Sequence, residues 1–516
     1  MIAAVRGWFA RTLPRPMARA LFNLVYGRTG MQRGIKRAVD HTRLRVHHTE
    51  LTEGEAAVSV AGGLLPARSV ARFSAVQAVA DNRALLVGAL EAAGIAFRDA
   101  TLPGDGPTLD IAPRQLQQAV AAVAHAAEGR PVYVLSGKGH GPYPVADAKP
   151  AQGEPLTIFE ALEAGGVVLA DQRHGCVLSV AAGPRRTLPW YSDVTFPIDA
   201  VYTWVDGADP EWAAEKAEAW RQAVDHGGDG GSRYSEYSAN EARFRQHDEL
   251  RYSMRSLDYF APWINHVYLV TAGQAPDWLD LTNPRITLVH HREIFADPGA
   301  LPTFNSHAIE AQLHRIRGLS EHFLYLNDDV FFGRHVEPEL FFLGNGLTKM
   351  FLSSKAVDFG PSSPEDLPVD SAARRNRALL EEAFGRTMSY KFQHVVHPER
   401  VSTLARVEQQ FPDQVRATTL AKFRTPEDVS VASAVAHYYG YLIGTTVPGR
   451  LSYRYCDISQ PSAQGKLLRL LRDRSSDVFC LNEVDSTGLD QADLDRMMQE
   501  FLAEYFPVPC SFEVQG

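Results

Sequence analysis

The sequence predicts an α/β fold: a mostly parallel sheet with flanking helices, preceded by a smaller N-terminal α+β domain. Two observations carry that expectation. From Phe196 onward, short β-branched runs alternate with amphipathic stretches, the pattern of strands joined by crossover helices. Before Leu188 the chain is rich in Ala and Val instead, with helix-like stretches around one strand-like run.

In chain order, Ala75–Ala93 and Pro113–Ala127 read as helices and Val132–Ser136 as a strand opening onto the Gly/Pro loop Gly137–Pro144. No catalytic constellation lies in this region. Ile198–Val205 reads as the first strand of the main sheet and runs into Asp206-Gly207. Glu241–Phe260 reads as a helix, with Leu250, Met254 and Leu257 spaced to face a core. Val267–Thr271, Ile286–Val289 and Phe323–Leu326 supply three more strands. His226–Ser232 is Gly-rich but lacks the Lys and Ser/Thr ending of a phosphate-cradling loop, so it reads as a linker or lid. Pro361–Pro368 and the charged stretch to Arg386 read as an insertion.

Composition narrows the function. The 516 residues are 45% hydrophobic and 22% charged, as in ordinary globular proteins. A net charge of −9 argues against nucleic-acid partners, which need a Lys/Arg excess, but leaves room for a local basic pocket. The 4 cysteines, Cys176, Cys456, Cys480 and Cys510, form no C-x-x-C pair, so reduced thiols in a cytoplasmic protein are expected rather than a zinc site or disulfide framework. No run approaches the roughly 18 apolar residues of a membrane span. At the N-terminus Arg6, Arg11, Arg15 and Arg19 interleave with Trp8, Phe9, Leu13, Met17, Leu21 and Phe22. Two readings stay open there: an interfacial helix making peripheral contact with the inner face of the membrane, or a basic surface helix packed on its own domain. A signal peptide fits poorly, because arginines interrupt the apolar core.

The chemistry-bearing residues gather at predicted strand ends, where open α/β sheets bind ligands. Asn327-Asp328-Asp329 follows a buried strand, and adjacent carboxylates there suit a hard divalent cation, Mg or Mn. The plainer alternative is one Asp capping a turn and the other solvated. Asp206 follows Tyr202-Thr203-Trp204, an aromatic shelf for a base and ribose or simply core. Arg251 and Arg255, one helical turn apart, are within reach of one pyrophosphate, although spacing alone favours a solvated face with local ion pairs. His394 and His397 suggest a metal pair, or a base with a neighbour, or a structural pair. Arg424 has the fork that clamps a phosphate.

Four blocks, in order, resemble the Stealth family of sugar-phosphate transferases, which includes bacterial capsule polymerases and the catalytic subunit of lysosomal-enzyme N-acetylglucosamine-1-phosphotransferase. The first is Ile198–Gly207. The second comprises Asp248–Ser256, Ala261–Trp263, Val270-Thr271, Gly273-Gln274, Leu301–Phe304, His314–Ile316 and Tyr325–Val330. The third runs from His394–His397 to Phe423–Asp428, and the fourth is Phe479–Glu483.

The resemblance implies a glycosyltransferase-A-like fold and transfer of hexose-1-phosphate from a nucleotide-sugar donor to a carbohydrate acceptor, releasing a nucleoside monophosphate. It implies an active centre at Asp329, His394 and Arg424 and a donor site at Asn482. Combined with the residue readings, the expected site is catalytic His394, Asp329 and Arg424; substrate-binding Asp206, Arg251, Arg255, Asn327 and Asn482; and metal-binding Asp328 and Asp329. His394 is the expected base, since an imidazole near neutrality suits removal of a hydroxyl proton. The corresponding division is 1–195, an N-terminal domain without assigned role; 196–345, the nucleotide-sugar core; 346–393, the insertion; and 394–516, the C-terminal catalytic part. Val395-Val396, Glu483 and His307 depart from the family pattern and bear on acceptor specificity. Two alternatives are a conventional metal-dependent glycosyltransferase and an inactive carbohydrate- or nucleotide-binding protein. The hexose, nucleobase, acceptor and oligomeric state are not legible in the sequence.

Overall fold

The structure, a computed structural model, describes residues 51–515 apart from 52–53, 61–62, 139–140, 152, 181–185, 226–243, 361–367 and 484–489. The N-terminal basic segment and the Gly-rich loop at 226–232 lie outside the described residues. The chain divides into two compact units. The first comprises residues Met1–Val70, Asp81–Asp99 and Leu109–Ala182, and the second takes Ala71–Ala80, Ala100–Thr108 and everything from Gly183.

The first unit holds a four-stranded and a six-stranded sheet. The helix expected over Pro113–Ala127 forms over Leu116–Ala126, after a tighter turn at Pro113–Gln115, and the strand Val132–Ser136 is present.

The division expected at residue 195 is not the one the chain adopts. Within the second unit Phe73 donates its N–H to Pro509 O at 3.0 Å and packs edge-on against Tyr259, and Ser74 Oγ bonds Asp258 at 3.3 Å. Long-range contacts, invisible to composition, therefore assign part of the N-terminal region to the second unit.

That unit is built on β1 (Ile198–Thr203), β2 (Val267–Thr271), β3 (Ile286–His290) and β4 (His322–Asn327), close to the expected strands. Their order is β3-β2-β1-β4, all parallel. β2 is buried at every position and β1 and β4 at all but the last, which is why they read as continuous apolar runs: helices and loops cover both faces. A fifth strand that periodicity missed, β8 (His397–Arg400), closes the edge antiparallel to β4.

Helix α1 (Pro210–Asp225) follows β1, and α2 (Glu249–Phe260) precedes β2. α2 begins later than the expected residue 241 because Asp248 adopts the left-handed region at φ 67° and breaks the winding. Ser306–Glu310 forms the short helix α3. A second sheet carries β5 (Val330–Phe332), β10 (Val478–Asn482) and β9 (Tyr453–Asp457). Within 346–393, β6 (Leu352–Ala356) pairs with β7 (Tyr390–Phe392) as a two-stranded sheet. Among the described residues no helix is long and apolar enough to cross a membrane.

Candidate active site

Register builds the site. Thr203 on β1 lies opposite Asn327 on β4 in parallel pairing, so Trp204–Asp206 and Asp328–Asp329 leave the sheet at the same end. On the antiparallel side Tyr325 faces His397. Stepping outward from that pair brings His394 level with the Asp328–Asp329 turn. β5 then turns back to pair with β10, which carries Asn482 to the same place.

There Asp329 is the hub. Its Oδ1 lies 3.1 Å from His394 Nε2, and its Oδ2 accepts from Asn482 Nδ2 at 3.0 Å and from the Cys480 thiol at 3.3 Å. The Asn327 amide also lies beside His394 Nε2, at 3.3 Å, a close approach and not a hydrogen bond while the Nε2 proton points at Asp329. Burial raises the Asp329 pKa, but His394 and the donors from His394, Asn482 and Cys480 prevail and hold it below the usual carboxylate value. For His394 burial disfavours the charged ring, yet Asp329 beside it wins and the pKa lies above the ordinary imidazole value. Burial and the Asp329 charge push the Cys480 thiol well up, in keeping with its donating to Asp329 Oδ2.

Asp328 turns toward β1. Gln246 Nε2 donates to its Oδ2 at 3.2 Å, and Trp204 Nε1 donates to Gln246 Oε1 at 3.0 Å. Burial, then repulsion from Asp329, raises the Asp328 carboxyl to about 6. Two crowded carboxylates are thus held where only part of their charge is compensated, a condition that a hard cation relieves. Asp329, His394 and Cys480 also offer ligand atoms within 4.8 Å of one another. Carboxylate oxygens such as those of Asp328 and Asp329 suit Mg or Mn, whereas a set with a ring nitrogen and a sulfur suits a softer ion. Asp206 caps the turn after β1 by accepting from Ala208 N at 2.9 Å, and its own N–H donates to Gln274 Oε1 at 2.9 Å.

Arg424 is delivered by a loop riveted to the segment before α3. Phe423 stacks on Phe304, and Asp428 accepts from Thr425 Oγ1 at 2.8 Å and from Asn305 Nδ2 at 2.8 Å. Arg424 Nη2 donates to Ser306 Oγ. Burial lowers the guanidinium pKa, and Glu310 and Asp428 oppose that. His307, with its ring 3.4 Å from Asp428, belongs to the same rivet.

Sequence reasoning missed three contributors. Glu310, at the end of α3, is buried, accepts from Ser433 Oγ at 2.7 Å, and acts electrostatically on both His394 and Arg424. It sits between two stretches of the second block, Leu301–Phe304 and His314–Ile316, and its signal is its place there. Tyr453 and Tyr455 project from the same face of β9: Tyr453 OH donates to His394 O at 2.8 Å and Tyr455 OH to Asn482 Oδ1 at 3.2 Å. Their period of two was readable, but not what they would face.

Two spacings singled out in the sequence find their partners here. Arg251 and Arg255 are held elsewhere: both donate to Glu513, at 2.6 and 2.7 Å, and Arg255 Nη1 also donates to Phe506 O at 2.9 Å. They clamp the C-terminal segment onto α2, because a carboxylate distant in sequence offers both forks a partner. His394 and His397 do not form a pair. His397 points inward, its Nδ1 3.0 Å from His437 Nε2, and burial pushes its pKa well below the ordinary value.

The chain is also similar to known proteins. Four Stealth protein models match in order: conserved region 1 at residues 196–220, region 2 at 243–350, region 3 at 393–441 and region 4 at 469–516. An exopolysaccharide phosphotransferase of Streptomyces coelicolor is 45% identical over 388 residues, covering 72% of this chain and 63% of that protein. A second from the same organism is 48% identical over 358 residues, 69% of this chain and 59% of the relative. The exopolysaccharide phosphotransferase CpsY of Mycobacterium tuberculosis is 39% identical over 326 residues, 63% of this chain and 59% of the relative. The chain thus spans about three-fifths of the length of these relatives. A solved galactosyltransferase, LgtC with donor and acceptor sugar analogues, aligns at 13% identity over 59% of this chain and 95% of its own, with a TM-score of 0.29, too loose to carry an argument. With all four conserved regions matched in order, and their residues meeting at one end of one sheet, the chain belongs to the Stealth family.

Proposed function

We propose that the protein transfers hexose-1-phosphate from a nucleotide-diphosphate sugar to a carbohydrate hydroxyl. The observation that carries the reading is the contact between Asp329 Oδ1 and His394 Nε2 on a half-buried imidazole. With the Nε2 proton held by the carboxylate, Nδ1 is the ring's base, the arrangement by which an acid orients and charges a histidine. The acceptor oxygen gives its proton to Nδ1 as it forms a bond to the sugar-proximal phosphorus. The bond from that phosphorus to the bridging oxygen breaks, and nucleoside monophosphate leaves with that oxygen. Arg424 balances charge on the transferred phosphate, and Asn482 orients Asp329.

A divalent cation, held by Asp328 and Asp329, would neutralise phosphate oxygens when bound. The names of the Streptomyces and Mycobacterium relatives support an exopolysaccharide acceptor. Strand order and an acidic turn after β4 support the glycosyltransferase-A-like reading. Four unpaired, buried cysteines support a cytoplasmic site of action.

The test is incubation with a panel of nucleotide sugars and acceptor glycans, followed by phosphorus NMR. A phosphodiester product with nucleoside monophosphate is expected. Release of nucleoside diphosphate with no phosphodiester would instead identify a conventional glycosyltransferase.

A further inference from the structure

We propose that Lys355 and Tyr455 form one wall of the donor subsite, with the Lys355 ammonium taking an oxygen of the donor's diphosphate. This rests on the phosphotransferase reading above and adds a ligand that the family blocks do not contain. Lys355 lies on β6, between conserved regions 2 and 3, and its hairpin partner β7 ends two residues before His394. Its ammonium stands 5.9 Å from the Tyr455 ring centroid. Tyr455 OH donates to Asn482 Oδ1 at 3.2 Å, and Asn482 Nδ2 donates to Asp329 Oδ2 at 3.0 Å. Lys355 is therefore joined to the hub of the site through two side chains.

Charge supplies the second reason. The site gathers the carboxyls of Asp328, Asp329 and Glu310 against His394 and Arg424, and Arg424 is already tied to Ser306. Even with a divalent ion on Asp328 and Asp329, a diphosphate entering such a site gains from a further cation. Lys355 is exposed and, among the described residues, forms no ion pair with a carboxylate. A flexible ammonium on an aromatic face is suited to a phosphate oxygen as a point charge. Tyr455 acts as a positioning residue, holding the Asn482 amide in the orientation that meets Asp329.

Calorimetric titration of the full chain with UDP, GDP and ADP, and with the matching nucleosides, tests the wall. Lys355→Gln should weaken the bound diphosphate about tenfold or more, the effect of losing one hydrogen bond between charged groups. Nucleoside affinity should stay the same and Lys355→Arg should restore most of the loss. Tyr455→Phe should lower kcat while leaving diphosphate affinity within about twofold, since the ring remains and only the tether to Asn482 is cut. Unchanged diphosphate affinity in Lys355→Gln, or equal weakening toward the nucleoside, overturns the proposal. If the wild type still releases nucleoside monophosphate in that case, the phosphotransferase reading stands alone. If it releases none from any nucleotide sugar, that reading falls and this proposal falls with it.

Discussion

His394 and Asp329, 65 residues apart in the chain, meet through Nε2 and Oδ1 at 3.1 Å, and Asn482 and Cys480 converge on the same carboxylate. The turn after β4 presents the carboxylate, and antiparallel pairing with β8 carries the imidazole to it. The pair decides which substitutions should stop chemistry and which should only loosen the fold.

His394→Ala should lower turnover by about two to four orders of magnitude, the span of general acid–base catalysis. Nucleotide-sugar affinity should change little, because the ring serves the acceptor hydroxyl. Steady-state kinetics paired with titration of the donor separates the two effects. Near-normal turnover in a folded variant would move the base to Asp329.

His397→Ala should behave in the opposite way. The ring is buried against His437 and stacks near Tyr325. Its loss opens a cavity and strands a polar partner, at a cost of roughly 2–4 kcal/mol. Thermal melting should show a lower Tm, and activity at low temperature should fall only as far as the folded fraction does.

Arg424→Lys keeps a cation but removes the planar fork that reaches Ser306. Turnover should fall by roughly ten- to a thousandfold, as when one donor to a developing oxyanion is lost. The readout is kcat with saturating donor. A variant within twofold of wild type would remove Arg424 from the charge-balancing role.

Glu513 predicts an acid limb in stability. Burial raises its pKa, but Arg255 and Arg251 outweigh that and bring it from 4.5 down to about 2. A depressed folded pKa means that the stabilisation is complete above the unfolded value, near 4.5, and drains away as pH falls toward 2. The shift corresponds to about 3 kcal/mol. Chemical denaturation between pH 2 and pH 6 should therefore be less pH-dependent in Glu513→Gln, which should also be less stable at neutral pH. An unchanged slope would contradict the clamp.

Removing divalent ions with excess chelator should reduce phosphotransfer to background, and Mg or Mn should restore it. The motive is the crowding that raises Asp328 to about 6 beside Asp329. Full turnover with metal-free protein, checked by elemental analysis, would show that Arg424 and Lys355 suffice.

Local pattern alone determined the parallel strands. Continuous apolar runs such as Val267–Thr271 have no polar face to spare, so they are legible wherever the chain places them. The acidic turn after β4 was legible for the same reason: a buried strand delivers whatever follows it to a sheet end. Tertiary structure alone decided the partners. Arg251 and Arg255 have the spacing of a phosphate clamp, yet Glu513, 262 and 258 residues away, takes them. His394 and His397 are three apart, yet strand register sends one ring to Asp329 and the other to His437. Glu310, Tyr453 and Tyr455 had a place or a period in the sequence, but nothing there said what they would face. Sequence spacing constrains what a side chain can reach along its own element, whereas a charged or polar group settles on whichever partner the whole fold brings within about 3 Å.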